Sequence, residues 1–233
     1  MIKKVGRLAG HWILDYLHAF HKHSYAFIYK DPPDHYLGFI QDGKFPIILI
    51  PGHLEKWHFL KAIADPLSLK GYPVYEVGHI GYHTIAVHQS AELIRELIDE
   101  KKLKNVILIA HSKGGLVGKH LLAFNNSDGV IKKLITIATP WAGSHAARMV
   151  PHKIFHELRP QSETVNRLHA QKNINNKVVS IFGFFDNHVW PTKSCFLEGA
   201  KNIRVNTHGH HTILFTKETI DLVAKEVEDV ERL

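Results

Sequence analysis

The chain has 233 residues, of which 45% are hydrophobic, and it carries a formal net charge of +7 at pH 7. These values favour one well-filled core in a single domain spanning residues 1–233 and exclude a disordered chain, while the lone cysteine excludes an intrachain disulfide framework. The basic residues are dispersed, which indicates an ordinary basic surface and no nucleic-acid partner; an anionic membrane or an acidic substrate would also suit the charge.

The N-terminal segment, residues 1–23, predicts an amphipathic helix. Apolar side chains recur there at helical spacing, beside lysines and an arginine. They are Val5, Leu8, Trp12, Tyr16 and Phe20. Polar residues, Asp15 among them, interrupt the apolar run, and this argues against a signal peptide. The run is also too short to span a bilayer. We expect this helix to pack on the body of a cytoplasmic protein; the alternative is a peripheral contact with a membrane surface.

Six apolar runs of strand length follow, with helical patterns between them. The strand runs are 45–50, 73–78, 105–110, 134–139, 177–185 and 202–206, and the helical patterns cover 57–68, 84–102 and the C-terminal residues from 220 to 230. Regular alternation of this kind predicts an α/β fold with a mainly parallel central sheet of about six strands, flanked by helices.

Two segments depart from the alternation. Residues 24–44 contain two adjacent prolines and a glycine, and we expect an extended or hairpin lead-in to the sheet there. Residues 140–176 are longer than one crossover needs and are broken by prolines, which predicts two or three short helices and at most a small cap or lid.

Histidine is frequent, with 20 in the chain. Two groups lie close together in sequence, within residues 18–23 and 79–88, but neither has the spacing of a zinc site with a third and a fourth ligand. We therefore expect neither a metal nor another cofactor.

A serine stands where the third strand run becomes a helix, in "AHSKGG". Ser112 follows Ala110 by two residues and precedes Gly114 by two, so small residues flank it on both sides. A sharp turn of this kind lifts a nucleophile to the carboxyl end of a parallel sheet, where ligands bind. The amide of Lys113, at the start of the helix, would face a developing oxyanion. The alternative is a helix-capping serine without chemistry.

This turn resembles the nucleophile elbow of the α/β-hydrolase superfamily, with alanine in place of the first glycine as in one group of small bacterial lipases and esterases. Further stretches add to the resemblance, which covers about residues 45–230. "ILIPGHLEKW" is similar to the first oxyanion loop and makes the backbone N–H of His53 the second donor. "ITIATPWAGS" is similar to the strand and turn that follow the elbow helix.

The order of catalytic residues in that superfamily implies the acid and the base. Asp186 follows the fifth strand run, in a loop closed by Pro191, and is the implied acid. "THGHH" follows the sixth run, and its Gly-His pair makes His210 the implied base. His211 is the next candidate, and His208 would only flank the site. The alternative for Asp186 is a turn-forming residue.

The resemblance implies a serine carboxylester hydrolase that acts on an apolar acyl ester through an acyl-enzyme. Aromatic and aliphatic side chains beside the implied site are candidates for the acyl pocket, or else plain core. They are Trp141, Phe184, Phe185, Val189 and Trp190. A thioesterase or an acyltransferase would use the same triad, and a binding protein of this fold would use none, so these alternatives stay open.

Overall fold

The predicted strands form one six-stranded sheet in the computed structural model, which describes residues 2–150 and 153–232, without the side chains of 2–9, 11, 27, 153 and 154. All neighbouring strands run parallel, in the order β2-β1-β3-β4-β5-β6. The strands are β1 (Ile47–Ile50), β2 (Val74–Tyr75), β3 (Val106–His111), β4 (Ile131–Ile137), β5 (Val178–Phe185) and β6 (Lys201–His208). The predicted α/β-hydrolase architecture is therefore confirmed.

Helices cover both faces of this sheet. They are α1 (Ile2–Ile28), α2 (His35–Gly38), α3 (Lys61–Ser68), α4 (Val87–Glu100), α5 (Lys113–Phe124), α6 (Glu163–Ala170) and α7 (Lys217–Val230). Alternate residues of β1 point to opposite sides: Ile47 packs in the cluster that holds α3 and α7, and Ile48 packs in the cluster that holds α4 and α5. Both faces are thus apolar, which explains the continuous hydrophobic runs of the strands.

The lead-in segment differs from its prediction. Residues 24–28 continue helix α1, and residues 35–38 form the short helix α2, so the expected extended or hairpin edge is wrong. The short helix α2 is stabilised by its contacts with α3 and β2 and by the burial of Tyr36.

Helix α1 packs on the body as expected, but through a different face. Its buried residues are Asp15, Ala19 and Ala26, whereas Tyr16 and Phe20 are exposed. The side chains of Val5 and Leu8 lie outside the described residues. Among the helices that the structure describes, none is long and apolar enough to cross a membrane.

The segment 140–176 contains the expected short helices. Short 3-10 helices occupy His145–Arg148 and Lys153–Leu158, and α6 follows. This segment leaves the sheet at the carboxyl end of β4, the same edge at which β3 meets α5. It therefore lies where it can cover whatever that edge presents.

Candidate active site

Ser112 occupies a strained turn between β3 and α5. Its φ and ψ are 50° and −120°, a conformation that L-residues rarely adopt, and its amide donates to the carbonyl of Ile137 on β4 at 2.9 Å. Such strain persists only where the surroundings enforce it, and it is common at functional sites. The side chain is held at the carboxyl edge of the sheet, as the sequence predicted.

The two glycines after Ser112 allow neighbouring segments to approach the start of α5 closely. A Cβ on Gly114 would lie 2.3 Å from the carbonyl oxygen of Ile50, at the end of β1, and a Cβ on Gly115 would lie 2.0 Å from Thr139 Oγ1. Any larger residue at position 114 would push α5 away from the strand that carries the predicted oxyanion loop.

Asp186 and His210 meet beside this turn. His210 Nδ1 lies 2.8 Å from Asp186 Oδ2, and both side chains are buried. The other oxygen of Asp186 accepts the amides of His188 at 2.7 Å and Val189 at 2.8 Å. Asp186 is thus fixed by backbone donors and presents one oxygen to the imidazole, which sets the tautomer with Nε2 free to act as a base.

The two groups stabilise each other's charged form. Burial disfavours the imidazolium of His210, but the Asp186 carboxylate outweighs it and raises the pKa of His210 above its usual value. Burial likewise opposes ionisation of Asp186, but attraction and hydrogen bonding by His210 lower the pKa of that carboxyl. The pair is therefore suited to accept a proton at His210 without transferring it to the acid.

A cavity of about 380 Å³ brings Ser112 and His210 together, since both line its wall. Val189 and Trp190 of the predicted pocket also line it. Three other predicted pocket residues do not. Trp141 is buried in the core, where its indole N–H donates to Ser180 Oγ at 2.9 Å. Phe184 and Phe185 end β5, and Phe184 points to solvent beside Arg204.

The predicted oxyanion donors are the amides of Lys113 and His53. Lys113 begins α5, so its N–H is one of those that a helix leaves without an intrahelical partner. Its ammonium is directed elsewhere, donating to the carbonyls of His83 at 3.2 Å and Ile85 at 2.5 Å. Burial lowers the pKa of Lys113 to about 8. His53 lines the cavity, with its ring 4.7 Å from that of Phe155.

A buried Glu55–His111 pair, which the sequence reasoning missed, connects the two loops. Glu55 Oε2 accepts the amide of Gly52 at 2.7 Å and lies 2.8 Å from His111 Nδ1. His111 Nε2 lies 3.1 Å from the carbonyl oxygen of His210. Although burial opposes it, the interaction with His111 lowers the pKa of Glu55 to about 2. This charge holds the loop of His53 against the turn of Ser112.

Asp15 of helix α1 is a second missed residue, and it holds the loop of the base. Its Oδ1 accepts the amides of His211 at 2.7 Å and Thr212 at 2.8 Å. Its Oδ2 lies 2.9 Å from His211 Nδ1 and accepts a hydrogen bond from Asn187 Nδ2. Asn187 Oδ1 in turn accepts the amide of His210 at 2.8 Å. Burial opposes its ionisation, but these donors lower the pKa of Asp15.

The remaining histidines of the region have distinct positions. His208 ends β6 beside Phe184, while His211 is held between Asp15 and Glu55, with Nε2 3.5 Å from Glu55 Oε1. Of the two, only His211 lines the cavity. Ligand atoms of Asp15, His188 and His211 lie within 4.8 Å of one another, a spacing that a metal ion could use. The Asp15 carboxylate already accepts five hydrogen bonds, so we interpret this cluster as a hydrogen-bonded network.

The profile of the PGAP1-like alpha/beta domain family matches residues 74–228, which is more than half of the chain. The chain belongs to this family. The match begins after β1 and contains Ser112, Asp186 and His210, but it leaves out helix α1 and Asp15. No curated protein sequence matches the chain.

Solved structures of bacterial and archaeal hydrolases share the fold. The mature form of a Bacillus licheniformis lipase is 16% identical, with a TM-score of 0.62 over 84% of this chain and 96% of that one. A monoacylglycerol lipase from Paleococcus ferrophilus is 14% identical, with a TM-score of 0.59 over 81% and 96%. An alpha/beta hydrolase from a lagoon-sediment metagenome is 18% identical, with a TM-score of 0.59 over 82% and 93%. These likenesses establish the α/β-hydrolase fold.

Proposed function

We propose that this protein is a serine carboxylester hydrolase with Ser112 as nucleophile, His210 as base and Asp186 as the acid that orients it. One observation carries the proposal. His210, buried and 2.8 Å from Asp186, lines the same cavity as a serine held at φ 50° on a strand-to-helix turn. A capping serine would need neither the strain nor the pair.

The reaction follows from these positions. His210 Nε2 takes the proton of Ser112 as its oxygen attacks the ester carbonyl, and Asp186 stabilises the imidazolium through the Nδ1–H bond. The amides of Lys113 and His53 are the proposed donors to the oxyanion. The imidazolium then protonates the leaving alcohol, and water, deprotonated by His210, cleaves the acyl-enzyme and restores Ser112.

The lining of the cavity supports an ester with an apolar acyl group. Apolar residues of the segment 140–176 form much of its wall: Ala146, Ala147, Met149, Val150, Phe155 and Leu158. A pocket of this kind binds hydrocarbon by excluding water from it. We propose that this segment is a small cap within the single domain rather than a domain of its own.

A labelling and hydrolysis experiment tests the proposal. Wild-type protein should react with a fluorophosphonate probe and hydrolyse nitrophenyl esters, and Ser112→Ala should lose labelling and about 10⁴-fold or more of the activity, because no nucleophile remains. Circular dichroism of the variant controls for folding. Absence of both labelling and turnover in folded wild type would contradict the proposal. Preferential transfer to an added thiol or alcohol would instead indicate an acyltransferase.

A further inference from the structure

Helix α1 presents an apolar face to solvent. Its buried side is formed by Asp15, Ala19 and Ala26, and Ile13, Leu17 and Phe20 on the opposite side are 62%, 58% and 73% exposed. Ile28, 72% exposed, lies on the same side beyond Ser24, so the apolar face of Ile13, Leu17 and Phe20 is about 10 Å long at 1.5 Å per residue. Contiguous exposed apolar surface of this kind marks an interaction site in soluble proteins.

This face is continuous with the mouth of the cavity. Tyr16 and Trp12 on the flank of α1 line the cavity, and Tyr16 is also exposed. Across the mouth, exposed Leu54 and Met149 line it as well. A partner that covers the face of Ile13, Leu17 and Phe20 would therefore also meet the opening that leads to Ser112.

The net charge of helix α1 is positive. Four Lys or Arg residues lie in the sequence of α1, and Asp15 is its only acidic residue. Asp15 is buried and accepts the amide of His211 in the loop of His210. Arg148, beside Met149 at the mouth, is exposed. An apolar face on a helix of positive net charge suits an anionic lipid surface, where acyl chains contact the apolar side chains and headgroups contact cations.

We propose that α1 docks the protein on a bilayer containing anionic phospholipid, with Ile13, Leu17 and Phe20 inserted at the headgroup level. The helix lies in the plane of the surface, and the mouth of the cavity faces the lipid. One consequence, the delivery of a membrane-borne ester to Ser112, rests on the proposed function. The docking itself is argued from the exposed apolar face, the positive net charge of α1 and the continuity of the face with the mouth of the cavity.

Vesicle sedimentation tests the docking. The full chain should pellet with phosphatidylcholine vesicles that contain phosphatidylglycerol, less so with phosphatidylcholine alone, and less as salt shortens the Debye length. Leu17→Glu/Phe20→Glu should weaken binding by about tenfold or more, because carboxylates replace the inserted side chains. Neither residue lines the cavity, so hydrolysis of a soluble short-chain ester should be unchanged.

Leu69→Glu/Phe196→Glu is the matched control. Leu69 and Phe196 are exposed apolar residues that precede β2 and β6, away from the carboxyl edge of the sheet, and the substitutions add the same charge. This variant should bind like wild type. Equal loss in both double variants, or wild type that stays in the supernatant, would overturn docking. So would a wild-type dimer that only Leu17→Glu/Phe20→Glu makes monomeric, since a second copy would then cover the face.

The two proposals fail separately in this design. Protein that hydrolyses soluble esters and does not pellet would retain the proposed function and lose the docking. Protein that pellets, and whose pelleting depends on Leu17 and Phe20, but shows neither labelling nor turnover would retain the docking and lose the function. Ser112→Ala should pellet with vesicles at the wild-type level, because Ser112 lies inside the cavity and not on the docking face.

Discussion

Helices α5 and α1 both border the candidate active site, but they bury opposite kinds of surface. Every residue of α5 from Lys113 to Leu122 is buried, because the helix lies between the sheet and the helices α4 and α6. Helix α1 instead buries a carboxylate and exposes large apolar side chains such as Leu17 and Phe20. The contrast shows that an apolar stripe identifies one face of a helix, but its surroundings decide whether that face turns inward.

The largest expected effect concerns the site that α5 begins. Asp186→Asn should reduce kcat by about 10⁴-fold, because the amide no longer holds the productive tautomer of His210. In the proposed mechanism the base is neutral His210, so kcat/KM of wild type should rise with pH through a pKa above the usual 6.5. Without the carboxylate that pKa falls, and the acidic limb should move to lower pH. A profile that does not move would contradict the role of Asp186.

A pair of leucine truncations compares the two helices directly. Leu121→Ala in α5 should lower the free energy of unfolding by about 2–5 kcal/mol, because it leaves a cavity in a fully buried position. Leu17→Ala in α1 should change it by less than about 0.5 kcal/mol, because the side chain is already exposed. Urea titrations of both variants give the two values. A large loss for Leu17→Ala would show that the outer face of α1 is packed.

Asp15→Asn tests the inner face of α1. Loss of the buried charge opposite His211 and the amides should destabilise the protein by about 3 kcal/mol at pH 7. The pKa of Asp15 is lowered by folding, so its contribution is present above the ordinary value of 3.8 and is lost as pH falls below it. The difference between wild type and variant should therefore shrink in acid. Urea unfolding at pH 7 and pH 3 measures it, and a difference that grows in acid would contradict this assignment.

Two glycines, one in each helix, should give effects of opposite sign. Gly114→Ala should lower the free energy of unfolding by about 1–3 kcal/mol, because its Cβ would meet the carbonyl oxygen of Ile50. Gly10→Ala in α1 meets no atom within 4 Å and should raise that free energy by about 0.5–1 kcal/mol through helix propensity. Thermal unfolding of both variants checks the signs. If Gly114→Ala also raised the free energy of unfolding, neighbouring atoms would not limit the size of the residue at position 114.

The elements nearest the sheet were the most predictable. Each strand run became a strand, and Ser112, Asp186 and His210 came to one edge because strand ends of a parallel sheet meet there. The pocket was predicted less well. Val189 and Trp190 reach the cavity and Trp141 does not, although all three follow strands. Distance along the chain from a strand end does not report the direction of a side chain.

The supporting carboxylates escaped prediction altogether. Glu55 and Asp15 are ordinary surface residue types, and nothing in their local pattern indicates burial. The one available signal for Asp15 was that it stands alone as an acid in a helix that is otherwise apolar and basic. Its partners, His211 and Thr212, lie almost two hundred positions away, so only the folded chain reveals them.

The sequence by itself determined the alternation of strands and helices, the parallel sheet and the strained turn at Ser112. Each of these follows from local periodicity and from the steric demands of small residues. Only the tertiary structure decided that α1 turns Asp15 inward and Leu17 outward, and that Glu55 joins the two loops of the site. The physical reason is that burial and ionisation of a carboxylate depend on donors supplied by distant segments, and no local pattern encodes where those segments come to lie.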